Sequence, residues 1–174
     1  MHKLLYLFSL TGIMVACQPQ ADPYPTSDVG YISPENRIDP DPEFEICGTE
    51  SDIVQYYNRN KPEDEPAGYR GGPRAIKQYI QKHYPSLKLH HDDSGMLTVR
   101  FIINCEGQTG YFELFENDLD FQPTHFNPET RHQLLKISRE LKNWRANYMD
   151  GTYRDSFMYI TYRLENGKIT EILP

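Results

Sequence analysis

The chain has no run long enough to cross a bilayer as a helix, which takes about 20 apolar residues. Its longest apolar stretch, Leu4 to Val15, falls well short. Basic residues are in deficit: 18 Lys and Arg stand against 25 Asp and Glu, a net charge of −7. Nucleic acid and anionic lipid recruit the opposite sign, so neither is an expected partner. Catalytic signatures are missing as well. There is no Gly-x-Ser-x-Gly elbow, no His-Glu-x-x-His pair and no phosphate-cradling glycine loop. No internal repeat is visible. These absences leave a non-catalytic role without cofactor or metal as the expectation. Cysteine is scarce at 3, and tryptophan scarcer at 1. Aromatics, by contrast, are plentiful: 13 Tyr and 8 Phe are enough for a core and for a binding surface besides.

The short apolar run suits the core of a secretory signal better than a membrane span. Lys3 precedes it, and Met14-Val15-Ala16-Cys17 ends it. Small residues ahead of a cysteine are what the lipoprotein signal peptidase reads. Cleavage before Cys17 would leave its sulfur to carry a diacylglycerol, and a second acyl chain would make that anchor stable. Residues 1–16 are therefore expected to be a leader, and Cys17 a lipidation site. Removing Lys3 with the leader takes the balance to 17 basic against 25 acidic residues, a net charge of −8. Gln18 is not the Asp that commonly signals inner-membrane retention, which favours the outer membrane, facing the periplasm or the cell surface. The expected membrane contact is through the lipid alone.

Residues 17–45 read as a proline-rich tether, with 6 Pro among residues 18–45 and no helical or strand period. Residues 46–70 read as an irregular lead-in, with Ile53, Tyr56 and Tyr57 able to form a short amphipathic turn. From Gly71 the pattern sharpens. Gly71-Gly72-Pro73 opens a helix, whose face carries Ile76, Tyr79, Ile80 and His83 and which Pro85 stops. Leu97, Val99, Phe101, Ile103 and Cys105 alternate with Thr98, Arg100, Ile102 and Asn104, a strand with one apolar face. Glu106-Gly107-Gln108 turns the chain, and Thr109 to Glu116 returns. Asn127-Pro128-Glu129 starts a second helix, along which Leu134, Ile137, Leu141 and Trp144 form a stripe. Trp144 is expected in the core. Phe157 to Glu165 and Lys168 to Leu173 are two more strands, joined by Asn166-Gly167, a type I′ hairpin signal. The expected class is α+β. An antiparallel sheet of three to four strands carries two helices packed on one face, in the order helix-strand-strand-helix-strand-strand.

The chemistry-bearing residues outside this pattern are read as surface. His90-His91-Asp92-Asp93 has metal-ligand residue types, but adjacent residues rarely converge on one ion, and a solvated loop is expected. His125 and His132 are isolated. Glu116, Asp118 and Asp120 lack the glycine and distal glutamate of an EF-hand loop. Tyr159 and Tyr162 point to opposite faces of their strand, so one should meet solvent and offer a ring to a sugar or peptide.

Gly71-Gly72, Ala75-Ile76, Tyr79-Ile80, Tyr84-Pro85, Gly95, Val99-Arg100-Phe101, Gly107 and Trp144, in that order and spacing, resemble the TonB C-terminal domain family. The resemblance is closest to versions from Bacteroidetes-type bacteria and covers about residues 70 to 164. Ala146 stands where that family has Pro after the Trp, Leu97 replaces its first Val, and the tail beyond Leu164 is extra. The resemblance implies residues 71–174 as the domain, and an envelope protein as partner. Members of the family take a receptor peptide by strand addition beside their last strand, which corresponds here to Phe157 to Glu165. They reach across the periplasm from a transmembrane helix, whereas this chain has a lipid signal. It is therefore read as a protein-interaction lipoprotein rather than the energy transducer.

The returning tail of Lys168, Ile169, Thr170, Glu171, Ile172 and Leu173 is expected to pair with that last strand and block the usual peptide edge. Binding would then move to the tail's own edge or to the open face of the sheet. An accessible edge would favour a protein partner. A contiguous exposed aromatic platform would favour the alternative, a binder of carbohydrate or another small ligand. Acylation of Cys17 leaves Cys47 and Cys105, an even number in an oxidising compartment, and a disulfide between them is expected over two buried thiols. The lipid anchor gives the first test. A fatty-acid probe fed to cells should label the wild type and leave Cys17→Ala unlabelled; equal labelling of both would overturn the anchor.

Overall fold

The computed structural model describes residues 31–38, 41–84 and 87–173. The leader, Cys17, most of the tether and Pro85 lie outside the described residues. Two helices and nine strands follow in order: β1 Val54–Gln55, β2 Gly68–Tyr69, α1 Gly72–His83, β3 Gly95–Ile103, β4 Thr109–Asn117, α2 Pro128–Glu140, β5 Trp144–Arg145, β6 Asn147–Met149, β7 Thr152–Arg154, β8 Ser156–Glu165 and β9 Lys168–Leu173. The class is α+β.

The helices start where the sequence asks them to. Gly71 precedes α1 at φ 89°, a left-handed conformation that costs glycine little. Asn127 caps α2, its side-chain oxygen accepting the Glu129 N–H at 2.9 Å. Ile76 and Ile80 of α1 and Leu134 and Ile137 of α2 then face one side of the sheet. Leu97, Val99, Phe101 and Ile103 meet them from β3, all with zero exposure. Met158, Ile160, Tyr162 and Leu164 complete this layer from β8. β3 lies between β4 and β8 and is antiparallel to both. β8 and β9 form the Asn166-Gly167 hairpin, with φ of 51° and 69° at the two turn residues, as a type I′ turn requires.

Four expectations are corrected. The main sheet has five strands and is mixed, because β1 pairs with the start of β8 in parallel. Two small ladders, β2–β5 and β6–β7, lie beside it. The lead-in is therefore structured. Buried Asp64 organises a stretch of it, accepting the N–H groups of Asn60, Lys61 and Asp150 at 2.7 to 3.0 Å. Residues 31–38 and 41–45 are not a tether. Ile32 and Phe44 are buried with Ile102 on the face opposite the helices, and Ile38 donates its N–H to the Phe112 carbonyl at 2.8 Å. Phe44 sits so close to Gly110 that a Cβ there would lie 2.2 Å from its ring. Finally, α2 ends at Glu140, and Trp144 is core from a strand rather than from a helix. It packs edge-on against Tyr69 and Phe101, at 5.0 Å in each case.

Cys47 and Cys105 form a disulfide that fastens an N-terminal strap, residues 31–38 and 41–47, to the β3–β4 turn. The buried Asp155 carboxylate accepts the N–H groups of Cys47, Gly48 and Cys105 at 2.8, 2.9 and 3.0 Å beside it. The unfolded, unreduced protein should titrate no thiol from either cysteine. Replacing both with serine should cost about 4 kcal/mol in urea unfolding, from loop-closure entropy across a separation of 58 residues.

Candidate functional site

Strand alternation sends every second side chain of β3, β4 and β8 away from the helices. Thr98 and Arg100, Glu113 and Phe115, and Phe157, Tyr159 and Thr161 therefore share the open face. The strap covers one side of that face. Over the rest lies a groove of about 510 Å³, to which β1 and its following turn add Gln55 and Tyr57.

Its floor is polar. The hydroxyls of Thr98 and Thr161, cross-strand neighbours, are 2.8 Å apart. Arg100 lies over the Phe115 ring, 4.7 Å from its centroid. One guanidinium nitrogen is 3.3 Å from the Glu113 carboxylate, which has zero exposure, and another donates to the Tyr31 carbonyl at 2.7 Å. Burial lowers the Arg100 pKa and the Glu113 charge partly restores it. The groove thus holds a cation whose charge is balanced from below. Its wall is aromatic. Tyr57 is 60% exposed and Tyr159 is 38% exposed. Tyr56 stands edge-on to both, with centroids at 5.1 and 5.5 Å. The 3.4 Å hydroxyl contact with Tyr159, and then burial, push the Tyr56 phenol up to about 12, so it stays neutral. The arrangement offers ring surfaces flanked by hydroxyl, amide and guanidinium groups. A nucleophile with an adjacent general base is absent among its lining residues.

The residues expected to bind divide differently. Tyr159 is on the open face. Tyr162 is corrected to core: it has zero exposure, its hydroxyl is 2.9 Å from Ser138 Oγ, and burial raises its pKa well above the usual phenol range. Ile172 is buried and Ile169 half-buried in the same core. Lys168, Thr170, Glu171 and Leu173 are exposed along β9. β9 pairs with β8 over 161–165, and β1 takes 156–157 on the same side. The β8 edge is therefore occupied at both ends. β9 itself is short, carries Lys168 and Glu171, and bulges at Thr170, features that discourage strand addition. The outer side of β4 is bonded to Ile38 and Thr124.

No sequence signal singles out Arg100, Glu113, Gln55 or Tyr57. Polar residues on the second face of a strand usually meet only water, and nothing in the pattern brings β1 alongside β8. Glu116 and Asp118 serve the structure. Glu116 lies 3.0 Å from Arg131, and Asp118 accepts the N–H groups of Asp120 and Gln122. No helix among the described residues is long and apolar enough to cross a membrane. No family model, curated protein or solved structure matches the chain.

The Arg100–Glu113 pair gives a stability test. Arg100→Met removes a guanidinium from beside a buried carboxyl and should cost about 3 kcal/mol in urea unfolding near neutral pH.

Proposed function

We propose that this chain is an envelope lipoprotein, anchored through Cys17 in the outer membrane, whose domain is a non-catalytic binding module. Its layout of two helices on one sheet face accords with the TonB C-terminal-like resemblance. Its binding surface is moved from the strand edge to the open face. The observation that carries this reading is the groove walled by Tyr57 and Tyr159 over Thr98, Thr161 and Arg100. The edges beside it are paired, bonded or bulged. A carbohydrate is the ligand such a groove suits. The tyrosine rings offer flat apolar faces to a sugar ring, while hydroxyl, amide and guanidinium groups bond its hydroxyls. The balanced charge of Arg100 favours a neutral sugar over an acidic one.

A second reading, a protein partner in the envelope, is favoured by the loop after β4. There Phe121 is 68% exposed and Leu119 42% exposed. Hydrogen bonds within the 118–122 turn fix its backbone, so both side chains are presented with little ordering cost on binding.

A panel of neutral hexose oligosaccharides, titrated against the mature protein by calorimetry, tests the first reading. At least one should bind, and Tyr57→Ala and Tyr159→Ala should each weaken it about tenfold, the loss of about 1.4 kcal/mol of ring contact. Phe121→Ser should leave that affinity unchanged. Absence of binding across the panel, or equal affinity in both tyrosine variants and the wild type, would overturn it.

A further inference from the structure

The run His90-His91-Asp92 stands apart from the groove, at the end of the sheet where β3 begins. Adjacent residues in an extended chain point away from one another, but this run is folded. Asp93 donates its N–H to the His90 carbonyl at 3.0 Å, closing a four-residue turn. Neighbouring elements hold that turn from two sides. His90 donates its N–H to Thr130 Oγ1 at 3.0 Å, and the Asp93 carboxylate accepts the Asn127 N–H at 3.1 Å, which ties the turn to the start of α2. From the other side, the Gly167 N–H donates to the Asp93 carbonyl at 2.9 Å. A Cβ on Gly167 would lie 2.6 Å from the His90 carbonyl oxygen, so the β8–β9 hairpin presses directly on the turn.

This clamping brings the ligand-type atoms of His90, His91 and Asp92 within 4.8 Å of one another. His91 Nε2 is 3.1 Å from one Asp92 oxygen, and His90 Nδ1 is 3.9 Å from the other. The two imidazole centroids are 4.9 Å apart. In a tetrahedral site with bonds of about 2.0 to 2.2 Å, neighbouring ligands sit roughly 3.4 Å apart. Small side-chain rotations therefore suffice to reach that spacing, and all three side chains are exposed and free to make them. Behind the turn, Asp93 is buried, and its Oδ2 has no hydrogen-bond donor among the described residues.

We propose that His90, His91 and Asp92 form a solvent-open site for a divalent transition-metal ion of the zinc, copper or nickel class. Two imidazole nitrogens and one carboxylate oxygen are the donors these ions prefer, whereas calcium and magnesium take oxygen ligands. Three protein ligands leave the remaining position to water.

Untagged mature protein titrated with zinc chloride at neutral pH provides the test, read by calorimetry and by imidazole NMR. One equivalent should bind in the micromolar range, moving the ring signals of His90 and His91 together and leaving those of His125 and His132 in place. His90→Gln, His91→Gln and Asp92→Asn should each weaken binding about tenfold or more, with unchanged urea midpoints in the absence of metal, while His132→Gln binds as the wild type does. Magnesium chloride should not compete. Binding only at millimolar zinc, movement of one histidine alone, or wild-type affinity in His91→Gln would overturn the site.

Discussion

The Asp155 carboxylate draws three distant stretches of chain to one point. It is buried, and its oxygens take the N–H groups of Cys47, Gly48 and Cys105. Without those donors, a buried carboxylate would be strongly unfavourable; with them, it holds the strap, the β3–β4 turn and the entry to β8 in register. The disulfide next to it makes the junction covalent. Much on the open face follows from this point. The strap is fixed at its far end, β1 follows from it along the outer side of β8, and the groove lies between Tyr57 on that side and Arg100 in the middle of the sheet.

The helix-facing layer is legible in the sequence because its residues repeat. Leu97 to Ile103 alternate with period 2, and Ile76 with Ile80 and Leu134 with Ile137 follow the helical period, so each declares its face without knowledge of its partner. The Asn166-Gly167 hairpin is legible for a local reason, the need for positive φ at both turn positions. The strap is not. Ile32, Ile38 and Phe44 each contact the sheet singly, separated by prolines and acids, and single contacts leave no period to detect. β1 and the two small ladders span only two or three residues per strand, too few for any alternation. Trp144 satisfies a helical spacing by coincidence, since the chain stops being helical at Glu140 and Leu141 carries it into β5 while the ring still reaches the same core.

The candidate site is only half legible, for a related reason. Strand parity places Tyr159. Arg100 and Glu113 look like ordinary solvent-facing residues until the strap and β1 border their face and turn a flat surface into a groove. The histidine run hides behind the opposite assumption, that sequence neighbours stay extended. A tight turn held by α2 and the hairpin brings together side chains that an extended chain would splay.

The strap also gives the molecule a direction of mechanical load. A pull on the chain ahead of Tyr31 meets first the Tyr31 carbonyl bond to Arg100, then the Arg37–Glu50 pair, then the Ile38 bond to β4. These polar links alternate with the buried side chains of Ile32, Ile38 and Phe44, so the strap opens in steps, as a zipper does, and not all at once as a sheared sheet would. Peeling stops at Cys47, where the covalent link passes the force to the β3–β4 turn and past the helix-facing core. The first polar link to break is the one that steadies the groove's arginine, so tension on the N-terminal side registers at the open face before it reaches Ile38 and the packed layer behind.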